Sequence, residues 1–239
     1  MSDIEKFQEL IDNAKKIVFF GGAGVSTESG IPDFRSQDGL YNQKYKFPPE
    51  QIISHTFFVY RTEEFYEFYK DRMLFLDAKP NITHYALAKL EEQGKLIGVV
   101  TQNIDGLHQL AGSKKVFELH GSVLRNYCTK CHKFYDVNYV KESKGVPKCS
   151  CGGIVKPDVV LYEEGLDDDV IQGALRAIEN ADLLIIAGTS LVVQPAASLI
   201  NYYNGKDIVL INKTATPADY KATLVFHEKL GDVFPKLNI

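Results

Sequence analysis

Ile17-Val18-Phe19-Phe20-Gly21-Gly22-Ala23-Gly24-Val25-Ser26-Thr27-Glu28-Ser29-Gly30-Ile31-Pro32-Asp33-Phe34-Arg35 is the stretch on which the fold turns. Its first four residues are a short, continuous apolar run, as a strand buried on both faces requires. Glycines follow at once. Gly22-x-Gly24 opens a dinucleotide fingerprint, but its third glycine position holds Thr27. Ser29 to Arg35 then stands where a dehydrogenase would lead into its next strand and an acidic ribose ligand. Pro32 argues against a helix interior or a central strand there. The turn therefore keeps a phosphate cradle of backbone N–H groups and a following helix N-terminus. A loop that can cover a ligand replaces the usual continuation.

Working outward, similar buried-strand runs recur at Leu96–Thr101, Val116–Leu119, Val159–Leu161, Leu183–Ala187 and Ile208–Ile211. Helical periodicity fills Asp3–Lys16, Ile82–Gln93, Asp168–Asn180 and Pro195–Tyr203. Strands alternating with helices predict an α/β fold with a doubly wound, parallel, Rossmann-like sheet. Two stretches break the rhythm. Gln37 to Leu76 is aromatic-rich and helical in its second half, and Ser122 to Pro157 carries all four cysteines. Both read as insertions forming a smaller domain with a helical part and a zinc-binding part. The expected division is 1–36, 77–121 and 158–239 for the large domain, and 37–76 with 122–157 for the small one.

Ligands of an open parallel sheet bind beyond the carboxyl ends of its strands. Those ends read Gly21-Gly22-Ala23-Gly24, Thr101-Gln102-Asn103-Ile104-Asp105, His120-Gly121, Gly188-Thr189-Ser190 and Asn212. Any one of them alone reads best as a cap or tight turn. Five at one sheet edge read as a cofactor crevice.

The cysteines are spaced Cys128-x2-Cys131 and Cys149-x-Cys151. Two tight pairs suit a tetrahedral, closed, structural Zn²⁺ site, with a redox Cys-x-x-Cys as the competing reading. Lys+Arg 27 against Asp+Glu 31 gives a net charge of −4, which does not suggest a general nucleic-acid or membrane-surface binder. His120 to Pro157 carries +5 before the thiolates are counted; a four-thiolate zinc centre lowers that to about +3. A solvated lysine face is preferred to a nucleic-acid ribbon. Met1 to Leu10 shows no signal peptide, and the apolar run Leu183–Val193 is too short to span a bilayer. A cytoplasmic monomer with reduced thiols, no membrane contact and no direct nucleic-acid partner is the expectation.

These motifs, in this order and across nearly the whole chain, resemble the sirtuins, NAD-dependent protein lysine deacylases of bacterial type. The resemblance implies NAD as co-substrate, one structural Zn²⁺ on Cys128, Cys131, Cys149 and Cys151, and acylated lysine on proteins as partner. Ala23, Thr27 and Ser190 would hold the pyrophosphate region, Gly188 is a further cofactor-binding residue, and Phe34 and Arg35 belong to a loop closing over NAD. Ile31, Asp33, Asn103, Ile104 and Asp105 would form the nicotinamide pocket, with Gln102 on the ribose. Thr189, Asn212 and Asp232 would line the adenosine side. Asn103 and His120 carry the catalytic assignment. In the implied chemistry, nicotinamide departs and the acyl oxygen attacks the anomeric carbon to give an alkylimidate. His120 is then the general base that activates a ribose hydroxyl, a task suited to an imidazole. The other histidines, His55, His84, His108, His132 and His227, are assigned structural or surface roles. Acyl transfer from lysine to ADP-ribose is the leading activity. Protein mono-ADP-ribosyl transfer and a silent NAD-sensing or zinc interaction module are the alternatives.

The acyl peptide would add as an extended strand along Val159, Val160 and Tyr162. Many sirtuins carry Phe-Gly-Glu where this chain has Tyr162-Glu163-Glu164. Tyr69-x-x-Arg72 matches the arrangement in members that remove succinyl and malonyl groups, where an Arg fork suits a second carboxylate. Ile53, however, stands where those members have a small alanine, and Asp33 is the common loop residue. Deacetylation leads and acidic acyl removal stays open.

Overall fold

The computed structural model describes residues 1–34, 39–40 and 45–239; Arg35, singled out above, lies outside them. The described strands are β1 (Ile17–Gly21), β2 (Leu96–Thr101), β3 (Val116–Glu118), β4 (Gly121–Cys128), β5 (Phe134–Asp136), β6 (Val155–Val159), β7 (Leu183–Ala187), β8 (Asp207–Ile211) and β9 (Leu224–Phe226). Six of them form a parallel sheet in the order β3-β2-β1-β7-β8-β9. The order reverses at β1, so β1 sits at the switch point, where a ligand crevice is expected. The other three form an antiparallel sheet, β5-β4-β6.

The helices are α1 (Asp3–Asn13), α2 (Pro49–Ile52), α3 (His55–Tyr60), α4 (Thr62–Arg72), α5 (Ile82–Glu92), α6 (Leu107–Leu110), α7 (Val137–Glu142), α8 (Asp168–Glu179) and α9 (Leu230–Val233). Helix α1 starts on a capping box: Ser2 Oγ accepts from the Glu5 N–H, and the Glu5 carboxylate accepts from the Ser2 N–H. Its Phe7 and Ile11 bury against one face of the large sheet.

Every residue of β1 is buried. Side chains alternate along a strand, so Ile17 and Phe19 join Phe7, Ile11, Leu87, Leu90 and Phe234 in one core, and Val18 and Phe20 join Ala174, Ile178, Ala196 and Leu199 in another. Burying each phenylalanine is worth about 2–3 kcal/mol. The apolar run that decided the fold is the central layer of a three-layer sandwich. A third core gathers Phe57, Phe58, Phe65, Tyr66 and Tyr69 of α3 and α4 with Val123, Cys128, Val140 and Val155 of the cysteine stretch. The Tyr66 hydroxyl donates to the Val155 carbonyl, joining the two insertions.

Several expectations need correction. The run Val159–Leu161 is not a strand of the parallel sheet; it begins at the end of β6, and β6 crosses the 157/158 divide. Pro195–Tyr203 is not α-helical: Ala196–Tyr202 is 3-10 helix. The glycine turn leads into two short 3-10 turns, Ala23–Val25 and Thr27–Ser29, rather than an α-helix N-terminus. Strand β9 escaped the sequence reading because Leu224-Val225-Phe226 is only three residues long.

Candidate active site

The carboxyl ends of β1, β2, β3, β7 and β8 open onto one cleft of about 770 Å³, within the range of ligand sites. The first two glycines of the turn allow a very close backbone approach. Gly24 N–H donates to the Gly188 carbonyl at 2.8 Å, and a Cβ on Gly24 would sit 2.7 Å from Gly188 Cα. Gly188 itself has φ +59, where an L side chain is strained. Two strand ends thus meet backbone to backbone, leaving a cradle edged by N–H groups.

Beside it, Ser26 ties together the residues after β2. Its hydroxyl donates to Asp105 at 2.7 Å and accepts from the Asn103 side-chain amide at 3.1 Å. Asp105 also accepts from the Leu107 N–H at 2.9 Å. Burial pushes the Asp105 carboxyl up, and these hydrogen bonds pull it partly back. Gln102 reaches across to β7, its amide donating to Thr189 Oγ1 at 3.0 Å.

His120 follows β3. Its Nδ1 lies 3.0 Å from the Gln102 carbonyl oxygen. A carbonyl only accepts, so Nδ1 carries the proton and Nε2 keeps the lone pair in the neutral ring. Burial lowers the His120 pKa from 6.5, and the bond to Gln102 offsets this in part. The ring is therefore neutral and base-competent at neutral pH. The next residue, Gly121, has φ +72, and a Cβ there would collide with the Asp158 carbonyl. Glycine is needed for β4 to leave His120 at this angle.

Of the residues expected to meet NAD, Ala23, Thr27, Ile31, Asp33, Phe34, Gln102, Asn103, Ile104, Asp105, His120, Gly188, Thr189, Ser190 and Asn212 all line the cleft. Asp232 does not; it is exposed on α9, while its neighbours Lys229 and Leu230 line the cleft. Arg35 lies outside the described residues. Of the substrate residues, Val159, Val160, Tyr162 and Arg72 line the cleft and Tyr69 does not. Tyr69 is fully buried, stacked on Phe65 at 5.6 Å, and its hydroxyl lacks a hydrogen-bond partner. Arg72 Nε lies 2.6 Å from Asp71, and its guanidinium sits 5.8 Å from the Tyr45 ring. The Tyr-x-x-Arg pair is thus not brought together at the cleft.

Sequence reasoning missed Ser26, Asn81 and Glu28, the last of which lines the cleft and accepts from the Gly231 N–H at 2.8 Å. Ser26 and Glu28 lie inside the quoted glycine-loop motif. Asn81 caps α5, and its amide donates to the Val25 carbonyl at 2.8 Å and to Ser29 Oγ at 3.0 Å, which orients the loop. Its only sequence signal is an Asn directly before a helical run.

The four cysteines are free thiols. Their sulfurs lie 3.4 Å (Cys128–Cys151), 3.6 Å (Cys131–Cys149) and 3.5 Å (Cys131–Cys151) apart, and all within 4.8 Å of one another. Tetrahedral Zn–S bonds of about 2.3 Å place sulfurs about 3.8 Å apart, so the quartet fits a closed four-thiolate zinc site. The cleft fits NAD equally well, through its glycine cradle, its volume and its row of side-chain amides and hydroxyls.

A parallel sheet with a glycine cradle at its switch point, joined to a four-cysteine metal site, defines a doubly wound nucleotide-binding protein braced by zinc. The model of the Sir2 family matches residues 22–195. The chain belongs to the Sir2 family. It is 66% identical over 238 residues to an NAD-dependent protein deacetylase of Clostridium perfringens, covering 98% of each chain. It is 60% identical to the protein of the same name from Clostridium acetobutylicum, covering 98% of this chain and 97% of that one. A solved structure described as Sir2 with p53 peptide and NAD+ is 42% identical, with TM-score 0.88, covering 99% of this chain and 97% of that chain. Another, Sir2Tm bound to a propionylated peptide, is 40% identical with TM-score 0.87, covering 98% and 97%. No helix among the described residues is long and apolar enough to cross a membrane.

Proposed function

We propose that this chain is an NAD-dependent protein lysine deacetylase that moves the acyl group from lysine to ADP-ribose and releases nicotinamide. The observation that carries this reading is His120, held by Nδ1 on the Gln102 carbonyl, in the cleft that also holds the glycine cradle and the Val159–Tyr162 edge. Bound NAD supplies an ADP-ribosyl group with nicotinamide as its leaving group. The residues present do the rest. Asn103, Ile104 and Asp105, braced by Ser26, hold the nicotinamide end together with Ile31, Asp33 and Phe34. Gln102 holds the adjoining ribose. The Ala23–Thr27 turn with Gly188 and Ser190 receives the pyrophosphate on backbone and side-chain donors. Thr189 and Asn212 face the adenosine end. His120 Nε2 accepts a proton from a substrate hydroxyl. A base-competent imidazole separates this reading from a silent NAD sensor.

Within that activity we favour acetyl and other small neutral acyl groups. Tyr69 is buried in the aromatic core and Arg72 is engaged by Asp71, which leaves no preformed fork for a second carboxylate. The chain is taken to work as a monomer in a reducing cytoplasm, where four thiolates stay available to zinc.

The test is mass spectrometry of an acetyl-lysine peptide incubated with NAD and the protein. Nicotinamide and O-acetyl-ADP-ribose should appear in equal amounts. Absence of both products overturns the reading. Faster turnover of a succinyl-lysine peptide than of the acetyl one overturns the acyl preference.

A further inference from the structure

Glu163 is one of three described non-glycine residues with positive φ, at +76. That backbone region favours glycine, which is the residue many sirtuins have there. Something must offset the strain of a glutamate, and the contacts of its carboxylate supply the answer. Oε2 accepts from the Thr56 N–H at 2.8 Å, in the first turn of α3. Hydrogen bonds from the Thr56 side chain and then from its backbone N–H hold the carboxyl below the usual glutamate range, so it stays ionised.

The neighbouring residues make the same junction. Tyr162 N–H donates to the Ile53 carbonyl at 3.0 Å, and His55 N–H to the Tyr162 carbonyl at 2.9 Å. Glu164 lies 2.9 Å from His55 Nδ1 and 3.1 Å from Lys156 Nζ, and accepts from the Leu161 N–H at 2.9 Å. Ile53, Tyr162 and Glu163 all line the cleft.

We propose that Glu163 is a positioning residue for the acyl-lysine peptide: its carboxylate fastens the Val159–Tyr162 edge to α3, so that Ile53 and Tyr162 form one fixed wall of the cleft. The proposal rests on the deacetylase reading for its substrate, but the tether itself does not. A glycine in this position would relieve the backbone and leave the edge attached only through Tyr162 and Glu164. In this chain the strain is accepted because the side chain adds a bond that glycine cannot make. The edge is held in place before peptide arrives, which lowers the ordering cost of binding. The residues assigned to NAD share no hydrogen bond with Glu163, whose carboxylate bonds Thr56, so the effect should fall on peptide and not on NAD.

The test compares wild type with Glu163→Ala, which keeps the strain and loses the acceptor, and Glu163→Gln, which keeps an acceptor and loses the charge. Steady-state kinetics with an acetyl-lysine peptide should show KM for peptide raised about fivefold in Glu163→Ala, the loss typical of one helix-cap hydrogen bond. KM for NAD should stay unchanged, and Glu163→Gln should keep the wild-type value. Hydrogen exchange at the Thr56 amide should quicken in Glu163→Ala alone. An unchanged peptide KM in Glu163→Ala overturns the proposal. So does a Glu163→Gln protein as impaired as Glu163→Ala, because charge and not the tether would then be responsible. If wild type turns over no acyl peptide, the deacetylase reading fails while exchange at Thr56 still decides the tether.

Discussion

The His120 ring and the Gln102 carbonyl, 3.0 Å apart, set the tautomer of the one histidine in the cleft. The bond joins the end of β3 to the end of β2, so the base is oriented by the sheet itself. Its partner is main chain, and a side-chain substitution at Gln102 would leave the bond in place.

Because burial depresses the His120 pKa, its neutral form persists below pH 6.5. Activity should therefore hold as pH falls through the ordinary histidine range and drop only below it. His120→Ala should reduce turnover by about a hundredfold or more, the usual share of a general base. The rate–pH profile with acetyl-lysine peptide checks both. An acid limb centred above 6.5, or equal turnover in the variant, would remove His120 from the chemistry.

Gly24→Ala should weaken NAD binding by about tenfold to a hundredfold. Its Cβ would meet the backbone of Gly188 at 2.7 Å, and backbone cannot swing aside as a long side chain can. The cost of forcing it is about 1–3 kcal/mol. Calorimetric titration with NAD reads the affinity, and circular dichroism shows whether the sheet survives. Wild-type affinity in this variant would mean that the cradle is looser than its geometry.

One Zn²⁺ per chain is expected from elemental analysis. Cys128 is fully buried in the third core, so Cys128→Ser should lose both metal and protection. Hydrogen exchange should quicken across β4, β5 and β6 while β1, β7 and β8 stay protected. Uniform loosening of both sheets would contradict a local brace.

The buried pair His84 and His108, with ring centroids 4.7 Å apart, should make the fold acid-sensitive. Burial pushes His84 down to about 4. Burial, and then the charge on His84, pushes His108 down to about 3. The unfolded chain protonates both near 6.5, so it binds more protons than the folded one below that pH. Their contribution is complete above about 6.5 and is lost as pH falls toward about 4 and then about 3. In urea melts the wild-type midpoint should fall further between about pH 7 and about pH 4 than the midpoint of His108→Phe. A midpoint difference independent of pH would show that the pair is not held neutral.

Much of this was readable from residues. The run Ile17–Phe20 gave the central strand because burial on both faces leaves no room for polar alternation. The cysteine spacing gave the metal site because four thiols in one short stretch have few other uses. The readings that failed turn on tertiary context. Val159–Leu161 is as apolar as a core strand, yet its partner is the antiparallel β4. Tyr69 and Arg72 sit three apart on α4, which suggests one face. The aromatic core takes the tyrosine, however, and the arginine turns to Asp71. Asp232 sits on α9, but only its neighbours Lys229 and Leu230 reach the cleft. Ser26 was hidden because a serine in a glycine loop has no distinguishing neighbours in sequence; its two partners, Asn103 and Asp105, come from another strand.

The Gly24–Gly188 contact has a consequence for the order of events in synthesis. Half of the cradle emerges from the ribosome early, with β1, and the other half only after β7 has been made. A nascent chain that ends before Gly188 can hold its zinc ligands, all of them earlier in the chain, but cannot close around a dinucleotide. Metal can therefore stabilise a partial chain, whereas NAD stabilises only the finished one.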